Sequence, residues 1–201
     1  MPFFPGSLYS RGVAVQNEFS GWVYPVPIWK GREPKISDGW GSPRPGIEMG
    51  HRGVDIMYPR HEGEPKHAPY GSARHVMFPN VPALAACDGI VEKSYEGKYG
   101  HAVVLNHGKW FTYYTHMANR LVQKGDKVRA GQALGTISGS PTESGKGLKH
   151  LHFEMWLNGK KAVDPERYIK KWPKVTMDGD RIGIVPFIPF IALGIIVAIL
   201  A

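Results

Sequence analysis

The run Lys149-His150-Leu151-His152-Phe153-Glu154-Met155-Trp156-Leu157 constrains this chain most, because its residue types alternate with a period of two. Side chains on a strand point alternately to opposite faces, so His150, His152 and Glu154 share one face while Leu151, Phe153 and Met155 share the other. The run therefore reads as a strand with one core face and one face available for chemistry. Two imidazoles about 7 Å apart on a rigid element suit one as a metal ligand and the other as a general base or oxyanion stabiliser. The bland alternative is a strand with two solvated histidines. Glu154, on the same face, reads as a solvated or salt-bridged carboxylate, the alternative being a group that orients a ligand.

What separates these readings is whether the chain supplies further ligands, and Gly50-His51-Arg52-Gly53-Val54-Asp55-Ile56 does. A His and a carboxylate four apart converge on successive helical turns, or where a loop runs into a strand, and the two glycines favour the loop. A catalytic zinc takes three protein ligands of nitrogen and oxygen and leaves a fourth position to water. His51, Asp55 and one histidine of the His150/His152 pair make that count. Tyr113-Tyr114-Thr115-His116-Met117 is another strand-like run, placing His116 on the same face as Tyr114.

In order along the chain, His51-x-x-x-Asp55, Tyr114-x-His116-Met117 and His150-x-His152 resemble the motifs of the lysostaphin/LytM-type zinc metallopeptidases, which cut peptide stems and cross-bridges of bacterial peptidoglycan. The intervening segments Ile36 to Gly41, Ala85 to Val91, Tyr99-Gly100, Val103 to Gly108, Val122 to Val128, Gly131-Gln132 and Val163 to Pro165 resemble the family framework, so the likeness spans roughly residues 36 to 169. The resemblance implies that His51, Asp55 and His152 bind one Zn2+, while His116 and His150 serve the activated water and the tetrahedral intermediate. Lys149 departs from the small residue or proline expected before His150, which bears on local loop shape rather than on the ligands.

With 25 Gly and 17 Pro in 201 residues, many turns and short strands are favoured over helices. The fold expected is all-β: a compact antiparallel β-sheet domain with long loops over residues 36–172, followed by a C-terminal hydrophobic, transmembrane helix. A hairpin is expected at Ala102 to Leu105, turning at Asn106 to Lys109 into Trp110 to Tyr114, with His101 and His107 as surface residues. Cys87, the one cysteine, excludes an internal disulfide and reads as a small core residue. Arg60 to Asn80 reads as an inserted loop beside the site, its three histidines not forming a second metal site, and Ser140 to Gly147 as a second wall of the cleft.

The formal charge of +8 suits an anionic partner, namely nucleic acid, phospholipid or a phosphate-bearing envelope polymer, although scattered Lys and Arg also describe a plain solvated surface. Given the resemblance, peptidoglycan is the partner expected and nucleic acid is not. Residues 1–35, rich in aromatics and proline, read as an arm packed on the domain or docking a partner, and their start lacks the pattern of a secretory signal. Residues 173–181 read as a linker. From 182 to 201 no charge occurs, and such a length of helix spans about 30 Å, the core of a bilayer. Pro186 and Pro189 shorten its regular part, which leaves a buried hairpin in an oligomer or a hydrophobic docking tail as alternatives. The basic, aromatic flank Lys170, Lys171, Trp172, Lys174 and Arg181 suits a headgroup layer. These features together describe a membrane-associated peptidoglycan endopeptidase, set in a bacteriophage virion alongside other virion proteins or in a bacterial envelope. The alternatives are a catalytically inactive LytM-type binding or regulatory module and a structural membrane protein of a particle.

Overall fold

The computed structural model describes residues 18–64, 72–97, 99–137 and 149–178. In chain order they form β1 (Ile28–Trp29), β2 (Lys35–Asp38), β3 (Val54–Pro59), β4 (His75–Val76), β5 (Pro82–Leu84), β6 (Gly89–Gly97) and β7 (Gly100–Asn106). There follow β8 (Trp110–Met117), β9 (Lys127–Val128), β10 (Ala133–Thr136), β11 (Leu151–Leu157), β12 (Lys161–Val163), one helical turn α1 (Glu166–Ile169) and β13 (Thr176–Met177). The described residues are thus nearly all-β.

Nine strands make the main sheet, whose central path runs β2-β3-β11-β8-β7-β6-β9, with β12 added to β11 and β4 to β3. Its neighbours pair antiparallel throughout. The expected hairpin is present as β7 and β8, and Gly108, at φ 87°, turns the chain between them. β11 lies between β3 and β8, so its polar face is flanked by a strand on each side. Its other face is fully buried: Leu151, Phe153 and Met155 join Val54, Ile56, Val103, Leu105 and Tyr114 in one core. Each such side chain stabilises the fold by about 1.5–3 kcal/mol through the water it leaves.

The back of the core is closed by segments from the two ends of the described chain. β1 pairs in parallel with β13, and the backbone amides of Tyr24 and Ile28 donate to the carbonyls of Pro173 and Val175. Phe19 packs among Trp22, Trp110, Tyr168 and Trp172 with ring centroids 4.8–5.8 Å apart, so residues from 19 to 29 contribute to the same core as the sheet. Part of Arg60 to Asn80 is regular, contrary to the expectation of a loop: β4 returns antiparallel on the end of β3, Tyr58 opposite Val76 and Pro59 opposite His75. Residues 65–71, the Ser140 to Gly147 loop and the uncharged run from 182 to 201 lie outside the described residues. Among the described residues no helix is long and apolar enough to cross a membrane.

Candidate metal centre

His51 and Asp55 reach the site as a loop running into β3. Gly50 adopts φ 64°, and the His51 backbone is held by hydrogen bonds between Gly41 N and His51 O and between His51 N and Ser42 O, each 2.8 Å. Gly53 lets this loop lie directly on β11: a Cβ there would stand 2.5 Å from the carbonyl oxygen of Phe153 and 2.9 Å from Cε1 of His152. Asp55 on β3 is registered opposite His152 on β11, which brings one carboxylate and one imidazole together across the strand pair.

Three atoms converge here. Oδ1 of Asp55 lies 3.1 Å from Nε2 of His51 and 3.0 Å from Nδ1 of His152, and the two nitrogens are 2.9 Å apart. These are the residues among those described whose donor atoms could hold a metal, lying within 4.8 Å of one another. The remaining polar atom of each is held from behind. His51 Nδ1 donates to Gly39 O at 2.9 Å, and His152 Nε2 donates to Glu154 Oε1 at 2.9 Å. The Arg44 guanidinium, ion-paired with Asp38, lies 3.5 Å from Asp55 Oδ2. Such outer contacts fix the ring orientations, so that His51 Nε2 and His152 Nδ1 both face Asp55 Oδ1; metal-free they can donate to it, and once deprotonated both turn lone pairs to a cation. Two nitrogens and one carboxylate oxygen, on one buried and two half-buried residues that line one cleft, fit zinc.

The electrostatics agree. Burial opposes a charge on Asp55, yet hydrogen bonds from His152 and His51 outweigh it and hold the carboxyl well below its usual range. Burial likewise opposes a charge on His152, but bonds to Asp55 and Glu154 prevail and raise it to about 9. Metal-free, the site holds a proton where a cation fits.

His116 and His150 flank the cluster. His150 Nε2 is 3.4 Å from Asp55 Oδ1, and the His116 ring lies 4.7 Å from that of His150 and 5.8 Å from that of His152. The expectation that His116 shares the face of Tyr114 is overturned. Between the pairs His101↔Met117 and Val103↔Tyr114 the register of β7 and β8 slips, placing one extra residue in β8, and His116 has φ 66°. This bulge breaks the alternation: Tyr114 points into the core, where its hydroxyl accepts from Ala86 N, while His116 swings to the site. Its Nδ1 donates to Tyr99 O at 2.9 Å, leaving Nε2 as a lone pair. Burial, then the neighbouring His150, depress its pKa to about 4, so the ring is neutral near pH 7. A left-handed backbone at a histidine beside a cluster of ligands is strain held by the surroundings.

Two further expectations are narrowed or corrected. Glu154 is salt-bridged rather than solvated: it is 5% exposed, with His152 Nε2 at 2.9 Å and Arg52 Nε at 3.7 Å, and it accepts from the Trp156 indole at 2.6 Å. The reason is the tight approach of the Gly53 loop, which covers it. His107 is half-buried rather than a surface turn residue, with Nδ1 bonded to Asp88 O, Nε2 to Thr112 Oγ1 and its ring 4.9 Å from Trp22. His101 lies in β7, half-buried, and accepts from Arg120. Cys87 packs against the core, and burial pushes its thiol up to about 11, as suits an inert side chain.

The cluster opens into a cleft of about 1000 Å³, walled on one side by the loop from Arg44 to Arg52 and on the other by Tyr99. Ile47 and Met49 on that loop are 56% and 65% exposed. Sequence reasoning missed Arg44 and Arg52, which carry no local signal of their own; Asp38 and Tyr99 lay inside framework segments without a role.

A histidine–aspartate cluster on an antiparallel sheet is the arrangement that a metallopeptidase would need. Residues 71–165 match the sequence model of Peptidase family M23. The matched stretch contains His116, His150 and His152, and strand pairing brings His51 and Asp55 to it from upstream. The peptidoglycan DD-endopeptidase ShyC of Vibrio cholerae is 37% identical over 111 residues, 54% of this chain and 21% of that protein, and ShyA of the same organism 33% over 95 residues, 46% and 21%. The chain thus spans about a fifth of the length of these curated relatives. A zinc-containing peptidase from Vibrio cholerae has the same fold, with TM-score 0.51 at 24% identity over 71% of this chain and 39% of that one. Residues 71–165 thus carry a domain of the LytM/lysostaphin type, matched by Peptidase family M23.

Proposed function

We propose that this chain is a zinc-dependent endopeptidase that hydrolyses peptide bonds in the stems or cross-bridges of bacterial peptidoglycan. The observation that carries this reading is the convergence of His51, Asp55 and His152 within 4.8 Å, with His116 and His150 facing the same point. Zinc bound by these three residues would polarise a scissile carbonyl and lower the pKa of water to about 7. The chain's own groups supply the rest. Asp55, His51 and His152 are oriented by Arg44, Gly39 and Glu154, so little reorganisation accompanies loading. His150 Nε2, beside Asp55, is placed to take a proton from the attacking water and pass it to the leaving amine. His116, neutral and anchored through Nδ1 to Tyr99 O, turns an Nε2 lone pair to the site; once that nitrogen takes a proton from the attacking water, it can donate to the oxygen that gains charge as the carbonyl carbon becomes tetrahedral. The identity of ShyC and ShyA as peptidoglycan endopeptidases supports the substrate.

We also propose that residues 182–201 hold the chain on a membrane, in a bacteriophage virion or a bacterial envelope; the uncharged run and its basic, aromatic flank support this. The test of activity is digestion of purified peptidoglycan by the zinc-loaded full chain, read by mass spectrometry for new peptide amino termini. Fragments broken only in the glycan, or none, would sink the peptidase reading. For the membrane, the full chain should float with liposomes in high salt, and a chain lacking 182–201 should not. Recovery from purified, wall-free virions would support the virion setting, and recovery only from envelopes of uninfected cells would exclude it.

A further inference from the structure

Resting on the peptidase reading, we propose that Arg52 is the specificity-determining residue of the cleft, a receptor for a carboxylate that the substrate peptide carries near the scissile bond. Arg52 follows the ligand His51 and lines the cleft. Its guanidinium sits 5.3 Å from the ring centroid of Trp156, and its Nε is 3.7 Å from Glu154 Oε1. Among the described residues it makes no other hydrogen bond or ion pair, and its side chain is 55% exposed.

The partner on the Nε side is already committed. Glu154 accepts from His152 at 2.9 Å and from Trp156 at 2.6 Å, so it neutralises Arg52 only in part. The two terminal nitrogens of the guanidinium are left for a ligand. Arg44, the other arginine of the cleft, is engaged instead by Asp38 and Asp55. The cleft therefore holds one cation spent on the metal centre and one presented outward; Glu48, on the same loop between them, also lines the cleft.

Stacking on Trp156 makes this presentation useful. A guanidinium held against an indole keeps its plane and loses less freedom on binding, and its fork matches a carboxylate with two parallel hydrogen bonds. Arg52 is coupled to the metal ligand through Glu154 and stands one residue from His51. Roughly two or three residues of extended peptide, at about 3.3 Å each, bridge such a span. The exposed Ile47 and Met49 offer the aliphatic part of the same substrate an apolar wall. The substrate class that fits is a peptide bearing a free carboxylate within about three residues of the cut, rather than an uncharged glycine run.

The test uses two peptidoglycan peptides identical except that this carboxylate is free in one and amidated in the other, with the zinc-loaded full chain. Wild type should show kcat/KM about tenfold or more higher on the free acid, and the ratio should shrink as salt is raised. Arg52→Ala and Arg52→Gln should bring the ratio to about one, and Arg52→Lys should keep part of it. A structural role would lower both rates together and leave the ratio standing. Equal rates in wild type, or a preference that survives in both Arg52→Ala and Arg52→Gln, overturns the proposal. If wild type cleaves neither peptide, the peptidase reading fails; calorimetric binding of the same pair then still decides whether Arg52 reads the carboxylate.

Discussion

On the inner face of β11, Leu151, Phe153 and Met155 are fully buried against apolar neighbours, while one residue away on the outer face His152 and Glu154 are nearly as enclosed, against charge. Burial has opposite consequences on the two faces. Inside, it removes apolar surface from water and stabilises the fold directly. Outside, it strips solvent from a histidine and two carboxylates, and the arrangement persists because each charge answers another. The core face needs nothing further, whereas the polar face is built around a cation, filled by a proton or by a metal.

Substitutions at adjacent positions should therefore have different signatures. His51→Ala, Asp55→Ala and His152→Ala should each lose zinc and roughly 10³-fold or more in rate. Phe153→Ala should cost about 3–5 kcal/mol in urea denaturation, yet its folded fraction should still carry one zinc per chain. Full zinc retention in His152→Ala, by metal analysis, would break the division between the faces.

The metal-free protein should feel pH on one face only. His152 is raised from its ordinary value to about 9 in the folded state, so its contribution is fully present below about pH 6.5 and lost as pH rises toward 9, up to about 3 kcal/mol. Asp55, held low by the same contacts, loses its contribution as pH falls below its ordinary value of about 3.9. Zinc displaces the His152 proton, so zinc affinity should rise over pH 6.5–9 as metal-free stability falls. Urea midpoints of chelated wild type and Phe153→Ala should move in parallel across that range. A midpoint that does not fall between pH 6.5 and 9 would remove the proton from the cluster.

The outer face can be divided further. His116→Ala and His150→Ala remove groups placed for proton transfer and charge stabilisation without removing a ligand, so each should keep its zinc and lose about 10² in kcat. Zinc loss in His150→Ala with retention in His152→Ala would exchange the roles of the pair. The smallest effect concerns the bulge: with φ 66° at position 116, His116→Gly should be more stable than His116→Ala by about 1 kcal/mol, although both lack the imidazole. Equal stabilities would mean that the strand relaxes to regular pairing once the ring is gone.

Alternation by itself determined that Leu151, Phe153 and Met155 form a core face opposite His150 and His152, because strand geometry ties side-chain direction to parity. Gly50 and Gly53 announced a loop ahead of Asp55, since only residues without a Cβ tolerate the turn at 50 and the close approach at 53. The ordered motifs carried the family. Parity failed at His116, where a bulge set by the pairing of β8 with β7 turns the ring to the opposite face from Tyr114. It placed Glu154 on the histidine face but not its burial, and was silent on Arg44 and Arg52, whose partners come from elsewhere in the chain. Nor could it show that Trp22 and Trp172 share a core, their rings 4.9 Å apart. Local order in the chain governs which face a residue takes within a strand, but burial, register slips and the partner of a charge depend on contacts between remote segments, and only the tertiary structure decides those.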